Sequence, residues 1–162
     1  MFDRFARWQP DQGAAVAARA VGALALAALA VIHVVDLPGT LGPDRLVGIG
    51  YLGIIAMAIV IGGVLVARPY WLAWAAAAGV AASAMIGYVL TRGLPGGFLG
   101  DHGDVGNWHC PLGIAALSVE SVIILLVLLV ALGAWQARIR ATSVAGQNRP
   151  AARRTPEYSR PG

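Results

Sequence analysis

Four long apolar runs divide the chain, and nearly every charge lies between or beyond them. Ala20 to Val35 carries no charge. Adding Ala14 to Arg19, with the arginine snorkelling, gives about 22 residues, enough to cross a hydrocarbon core of ~30 Å at ~1.5 Å per residue. This first helix is predicted over 14–36, with Pro38-Gly39 ending it and Gly42-Pro43-Asp44 completing a short turn. The second helix, 46–67, is free of charge. Arg68-Pro69 leaves so little chain that the second and third helices must be antiparallel neighbours. The third helix runs over 70–91, with Tyr70, Trp71 and Trp74 as an aromatic belt at its start. Pro111 suits the first position of a fourth helix, 111–136, because the N–H it lacks would be unpaired there anyway. A cleaved secretory signal would also place arginines before an apolar run. No small-residue cleavage site follows this one, so the uncleaved helix is preferred.

Composition supports the same reading. The chain is 58% hydrophobic and 12% charged, with a mean hydropathy of +0.70, whereas soluble domains carry about 25% charged residues. The fold class is therefore an all-α membrane protein with one four-helix transmembrane domain over 13–137 and a loop over 92–110. A short interfacial arm is expected over 1–12, and a disordered basic tail over 138–162. All the basic residues are arginine. Arg4, Arg7, Arg19, Arg68, Arg138, Arg140 and the tail arginines share one side of a four-span topology. The other side has Arg45 and Arg92 among Asp36, Asp44, Asp101 and Asp104. The positive-inside rule then puts both termini in the cytoplasm and the 92–110 loop outside. The terminal arginines suit orientation and anionic lipid rather than nucleic acid. Absent lysine and abundant alanine suggest a GC-rich bacterial genome, hence a bacterial plasma membrane. With one cysteine, no internal disulfide can form.

Helices in lipid associate by close backbone approach rather than by burying leucine. The third helix carries Ala75, Gly79, Ser83, Gly87 and Thr91 at four-residue spacing, a stripe expected to form a tight bundle or a dimer seam. Ala14, Ala18 and Gly22 repeat the pattern in the first helix, and Ala58–Gly62 and Gly63–Ala67 in the second. The bulky stretch from Val122 to Val130 is expected to face lipid.

Polar chemistry is concentrated at one end. Glu120 lies about 6 Å inside the fourth span, counting ~20 residues back from Trp135, where a carboxylate must be paired, protonated or hydrated. It is either a functional group or a structural one, half of a pinning ion pair or an acid snorkelling to the outer face. His33 and Asp36 share a helix face at i, i+3, as ligands or proton carriers, or as a pair that satisfies buried polar groups. Arg92 is expected to bridge carboxylates, with Glu120, Asp36, Asp101 or Asp104 as partners. Asp104 and Asn107 also suit turn and capping positions. Asp101, His102, His109 and Cys110 are metal-ligand types, suited to a divalent or copper ion, but no CxxC or HExxH spacing supports them. Cys110, just before a helix start, is either a reactive thiol or an inert one.

His33-Val-Val-Asp36-Leu-Pro38-Gly39, Gly87-Tyr88-Val89-Leu90-Thr91-Arg92-Gly93-Leu94-Pro95-Gly96, Asp104-Val105-Gly106-Asn107-Trp108, Pro111-Leu112-Gly113 and Ser118-Val119-Glu120 together resemble a group of small four-helix membrane proteins of actinobacteria. The resemblance spans about residues 20 to 135. It implies the topology and the grouping of these residues, and no activity. An acid often precedes Pro-Leu-Gly in that group, where Cys110 stands here.

Two functions follow. One is a binding or sensing module whose outer-face cluster of His33, Asp36, Arg92, Asp104, Asn107 and Glu120 holds a metal ion, a proton or a small polar ligand. The other is an accessory subunit of a membrane complex, or a homo-oligomer, in which that cluster is an ion-pair network pinning the loop. An enzyme is disfavoured: a four-helix thiol oxidase needs cysteine pairs.

Overall fold

The computed structural model describes residues 12–68 and 70–147. The arm expected over 1–12, Gln12 apart, lies outside the described residues, as do Pro69 and the tail beyond Gln147. The described chain is helical: α1 (Gln12–Leu41), α2 (Arg45–Ala67), α3 (Trp71–Gly93) and α4 (Pro111–Gln147). Strand-type pairing among the described residues is limited to an isolated bridge between Phe98 and Asp101. All four helices are long and apolar enough to cross a membrane. α2 and α3 have 23 residues each, or about 35 Å of helix against a core of ~30 Å.

Two helix ends differ from expectation. α1 continues through Pro38 and Gly39 to Leu41. Proline removes only one N–H, and its fixed φ is helical, so in a last turn it costs little. The Thr40 hydroxyl donates to the Asp36 carbonyl at 3.1 Å, and the Asp44 N–H donates to the Thr40 carbonyl at 2.9 Å. α1 thus turns directly into α2. Gly48 makes this crossing possible, because a Cβ there would stand 2.9 Å from the Leu41 Cα. α4 continues past Gln136 to Gln147, since Ala137 to Ala145 contains no glycine or proline to stop it. At 37 residues it is about 55 Å long and outruns the other three. The disordered tail expected from residue 138 is therefore helical over its first ten positions.

The helices form a closed ring in which α1 packs on α2 and α4, and α3 packs on α4 and α2. The α1–α2 pairing is the most extensive. The α2–α3 pairing is the sparsest, although only residues 68–70 join the two helices. The core joins Leu26, Leu29 and Ala30 of α1, Ala58, Ile61 and Leu65 of α2, Ala73, Ala77 and Ala81 of α3, and Ile123 of α4. Gly62 lies against Leu26, and Gly22 against Trp74 and Leu65, so the expected small-residue contacts at Gly22 and Ala58–Gly62 are made. The α3 stripe is not the packing face. Ala75, Gly79 and Ser83 are exposed, while Ala73, Ala77, Ala81 and Ala84 are buried. α3 is small-residued all round, so four-residue spacing alone does not select a face. Gly63 and Ala67 are exposed as well. α4 buries the smallest share of its span: Val122, Leu125, Leu128 and Leu129 face outward, and between Val122 and Val130 only Ile123 is buried.

Arg19 closes the end of the bundle opposite the loop. Its Nε donates to the Leu65 carbonyl at 2.8 Å and its Nη2 to the Val66 carbonyl at 2.6 Å. These belong to the last turn of α2, whose carbonyls have no partner within the helix. The arginine therefore serves as a cap supplied by a neighbouring helix.

Candidate functional site

The loop over residues 94–110 closes one end of the bundle, and Arg92 holds it there. Arg92 sits in the last turn of α3 and is 5% exposed. Its Nη2 pairs with the Asp104 Oδ2 at 3.0 Å. Its Nε donates to the Asn107 carbonyl at 3.0 Å, and its Nη1 to the Thr91 hydroxyl at 2.8 Å. The guanidinium lies over the Tyr88 ring, 3.9 Å from its centroid, a favourable place for a planar cation. In return, the Gly106 N–H donates to the Arg92 carbonyl at 3.0 Å. The Tyr88 hydroxyl donates to the Trp108 carbonyl at 2.9 Å, and the two rings meet edge to face. Buried Asp101 completes the loop by accepting the Asp104 N–H at 3.0 Å. Of the four carboxylates expected as partners of Arg92, only Asp104 pairs with it.

Beneath this pin is a cavity of about 260 Å³, lined by all four helices and by Phe98 and Leu99 of the loop. α1 contributes His33 and Asp36, α2 Tyr51, α3 Tyr88, Thr91 and Arg92, and α4 Glu120. The His33 Nδ1 lies 2.9 Å from the Leu29 carbonyl. A carbonyl only accepts, so Nδ1 carries the hydrogen, and in the neutral ring Nε2 is left as an acceptor. The Tyr51 ring meets His33 edge-on with centroids 4.8 Å apart, and its hydroxyl donates to the Asp36 Oδ2 at 3.1 Å. Glu120 is 1% exposed, and its Oε2 has no hydrogen-bond partner in the protein. Gly113 shapes the wall, because a Cβ there would collide with the Tyr88 ring. Its absence lets α4 approach α3 while Tyr88 still reaches Trp108.

The residues expected as one cluster thus divide between two tasks. Arg92, Asp104 and Asn107 tie the loop down, Asn107 through its backbone while its side chain is exposed. His33, Asp36 and Glu120 line the cavity. The loop ligand types are not gathered. His102 and His109 are exposed, Cys110 is half-buried just before α4, and Asp101 is a turn-forming acceptor. Among the described residues, no three His, Cys, Asp or Glu side chains come together as a metal site would require. Tyr51 and Tyr88 were not singled out from the sequence. A hydroxyl within an apolar span needs a partner, and that signal would have marked both.

Chemically, the cavity presents acceptors. The His33 Nε2 and the Glu120 carboxyl lack donors, Asp36 has one from Tyr51, and the guanidinium is already engaged by Asp104. Such a lining suits a partner that brings hydrogens: a proton, a hydroxyl or an ammonium. Compared with known protein families, curated proteins and solved structures, the chain matches none, so its chemistry is read from this geometry alone.

Proposed function

We propose that this chain is a small binding module of a bacterial plasma membrane, whose loop-end cavity takes a small hydrogen-bond-donating ligand. The observation that carries this reading is Glu120, a carboxyl group enclosed within a span and lining a cavity, with an oxygen that has no partner in the protein. An ionised carboxylate inside a span costs roughly 3 kcal/mol, and a ligand donor offsets that cost. The Arg92–Asp104 pin supports the same role by holding the loop as a roof over the cavity.

The arginine distribution supports cytoplasmic termini and a cavity in the outer half of the bilayer. The terminal arginines face the anionic inner leaflet. Orientation is tested with His109→Cys in a Cys110→Ser background. A membrane-impermeant maleimide should label it on intact cells, and labelling only after lysis would invert the topology. Binding is tested by calorimetry on detergent-purified protein with a panel of small amines and alcohols. Saturable binding that is lost in Glu120→Gln is expected, and heats unchanged by the substitution would sink the role.

A further inference from the structure

From the cavity lining we propose that the occupant is an amine with an apolar tail, reaching the cavity sideways from the bilayer through the cleft between α2 and α3. This rests on the binding role proposed above and adds the ligand class and its route. Charge points to an amine. Two carboxyl residues, Asp36 and Glu120, line the cavity, and the one guanidinium there is paired with Asp104, which lies outside the lining. The aromatic rings of Tyr51 and Phe98 also line it, and such faces attract ammonium groups.

The route follows from how the helices part. α2 and α3 make the sparsest pairing in the ring, and the cavity lining beside that seam includes Gly50 of α2 and Ser83, Ala84 and Gly87 of α3. Gly50 of α2 and Gly87 of α3 both have open space where a Cβ would stand, and Ser83 is exposed between the helices. Ser83 lies ten residues before the end of α3 at Gly93, about 15 Å down a helix rising ~1.5 Å per residue, close to the middle of a core of ~30 Å. An opening at that depth on the side of a bundle meets acyl chains, not water. Exposed Ser83 and half-buried Gly87 therefore gain a role that bundle packing did not supply: they leave the rim of the cleft without bulk. The apolar lining from Leu46, Val47 and Ile54 takes the tail.

The test uses the full-length protein in detergent, with methylamine, hexylamine and hexanol as calorimetric probes. Hexylamine is expected to bind at least tenfold more tightly than methylamine and than hexanol. Gly87→Phe, which fills the cleft, is expected to weaken hexylamine at least tenfold and methylamine by a clearly smaller factor. Gly50→Phe fills it from the opposite wall and guards against a folding defect in the first variant. Equal affinities for hexylamine and methylamine, or for hexylamine and hexanol, overturn the proposal, as does an equal effect of both plugs on both amines. Glu120-dependent methylamine binding with no preference for the tail would leave the binding role standing and sink only the lateral route. No Glu120-dependent binding of any probe would sink both. A lipid headgroup and a free amine share this chemistry. Retention of phosphatidylethanolamine over phosphatidylcholine in native mass spectra, released by Glu120→Gln, identifies the headgroup. Hexylamine binding without such retention identifies a free amine.

Discussion

The Arg92 guanidinium and the Asp104 carboxylate meet at 3.0 Å, and this contact joins the last turn of α3 to the middle of a glycine-rich loop. Arg92 is almost fully buried while the Asp104 side chain is 32% exposed, so the two ends of the pair behave differently when removed. Asp104→Asn keeps an acceptor for the guanidinium and leaves its other two hydrogen bonds in place. A loss of about 1 kcal/mol is expected. Arg92→Ala removes the side-chain ties to Asp104 and Asn107 and leaves those partners unpaired, while the Gly106 bond to its backbone carbonyl and the Tyr88–Trp108 contact remain. A loss of about 3 kcal/mol, near the lower end for breaking a buried pair, and rapid proteolysis within residues 94–110 are expected. Thermal unfolding in detergent combined with limited proteolysis reads both, and an intact loop in Arg92→Ala would refute the pinning role.

Glu120 carries an opposite expectation. Its enclosed oxygen has no partner, so replacing it with an apolar side chain removes a cost rather than a contact. Glu120→Leu should raise stability by about 1–3 kcal/mol in the absence of ligand. A ligand-binding residue shows such a trade of stability against function. Collapse of the fold in Glu120→Leu, read by circular dichroism and gel filtration, would show that the carboxyl is structural.

Gly113 and Gly48 test two close approaches between helices. A methyl at Gly113 meets the Tyr88 ring, which must move and release the Trp108 carbonyl. A methyl at Gly48 meets the backbone of Leu41, which has less freedom to yield. Both alanine variants should lose about 1–3 kcal/mol, Gly48→Ala the more. Only Gly113→Ala should change the fluorescence of Trp108, and a tryptophan signal that moves equally in both would contradict the assigned contact.

Arg19→Ala leaves the Leu65 and Val66 carbonyls without their donors at the end of α2. A loss of about 1–2 kcal/mol is expected, with faster amide exchange in the last turn of α2. Arg19→Lys, which cannot fork to two carbonyls, should fall between. Equal stability of Arg19→Ala and the parent protein would mean that the arginine merely reaches for the interface.

Hydropathy and punctuation carried much of the architecture. The four apolar runs, the short connection at Arg68 and the helix start at Pro111 are local properties, and the cost of exposing backbone to hydrocarbon leaves helices as their only outlet. The concentration of His33, Asp36, Arg92 and Glu120 at one end was also legible, because their depth follows from counting along each span. What only the tertiary structure decided is how those groups are shared out. α3 offers small residues on every side, so which face packs depends on Trp74 and Leu65 meeting Gly22. Arg92 had four carboxylates within plausible reach, and the loop's backbone bonds to Asn107 and Gly106 bring Asp104 to it. That choice leaves Glu120 with an unpartnered oxygen beside a cavity. Pairing in three dimensions is set by which backbones approach each other, and no spacing along one helix records that.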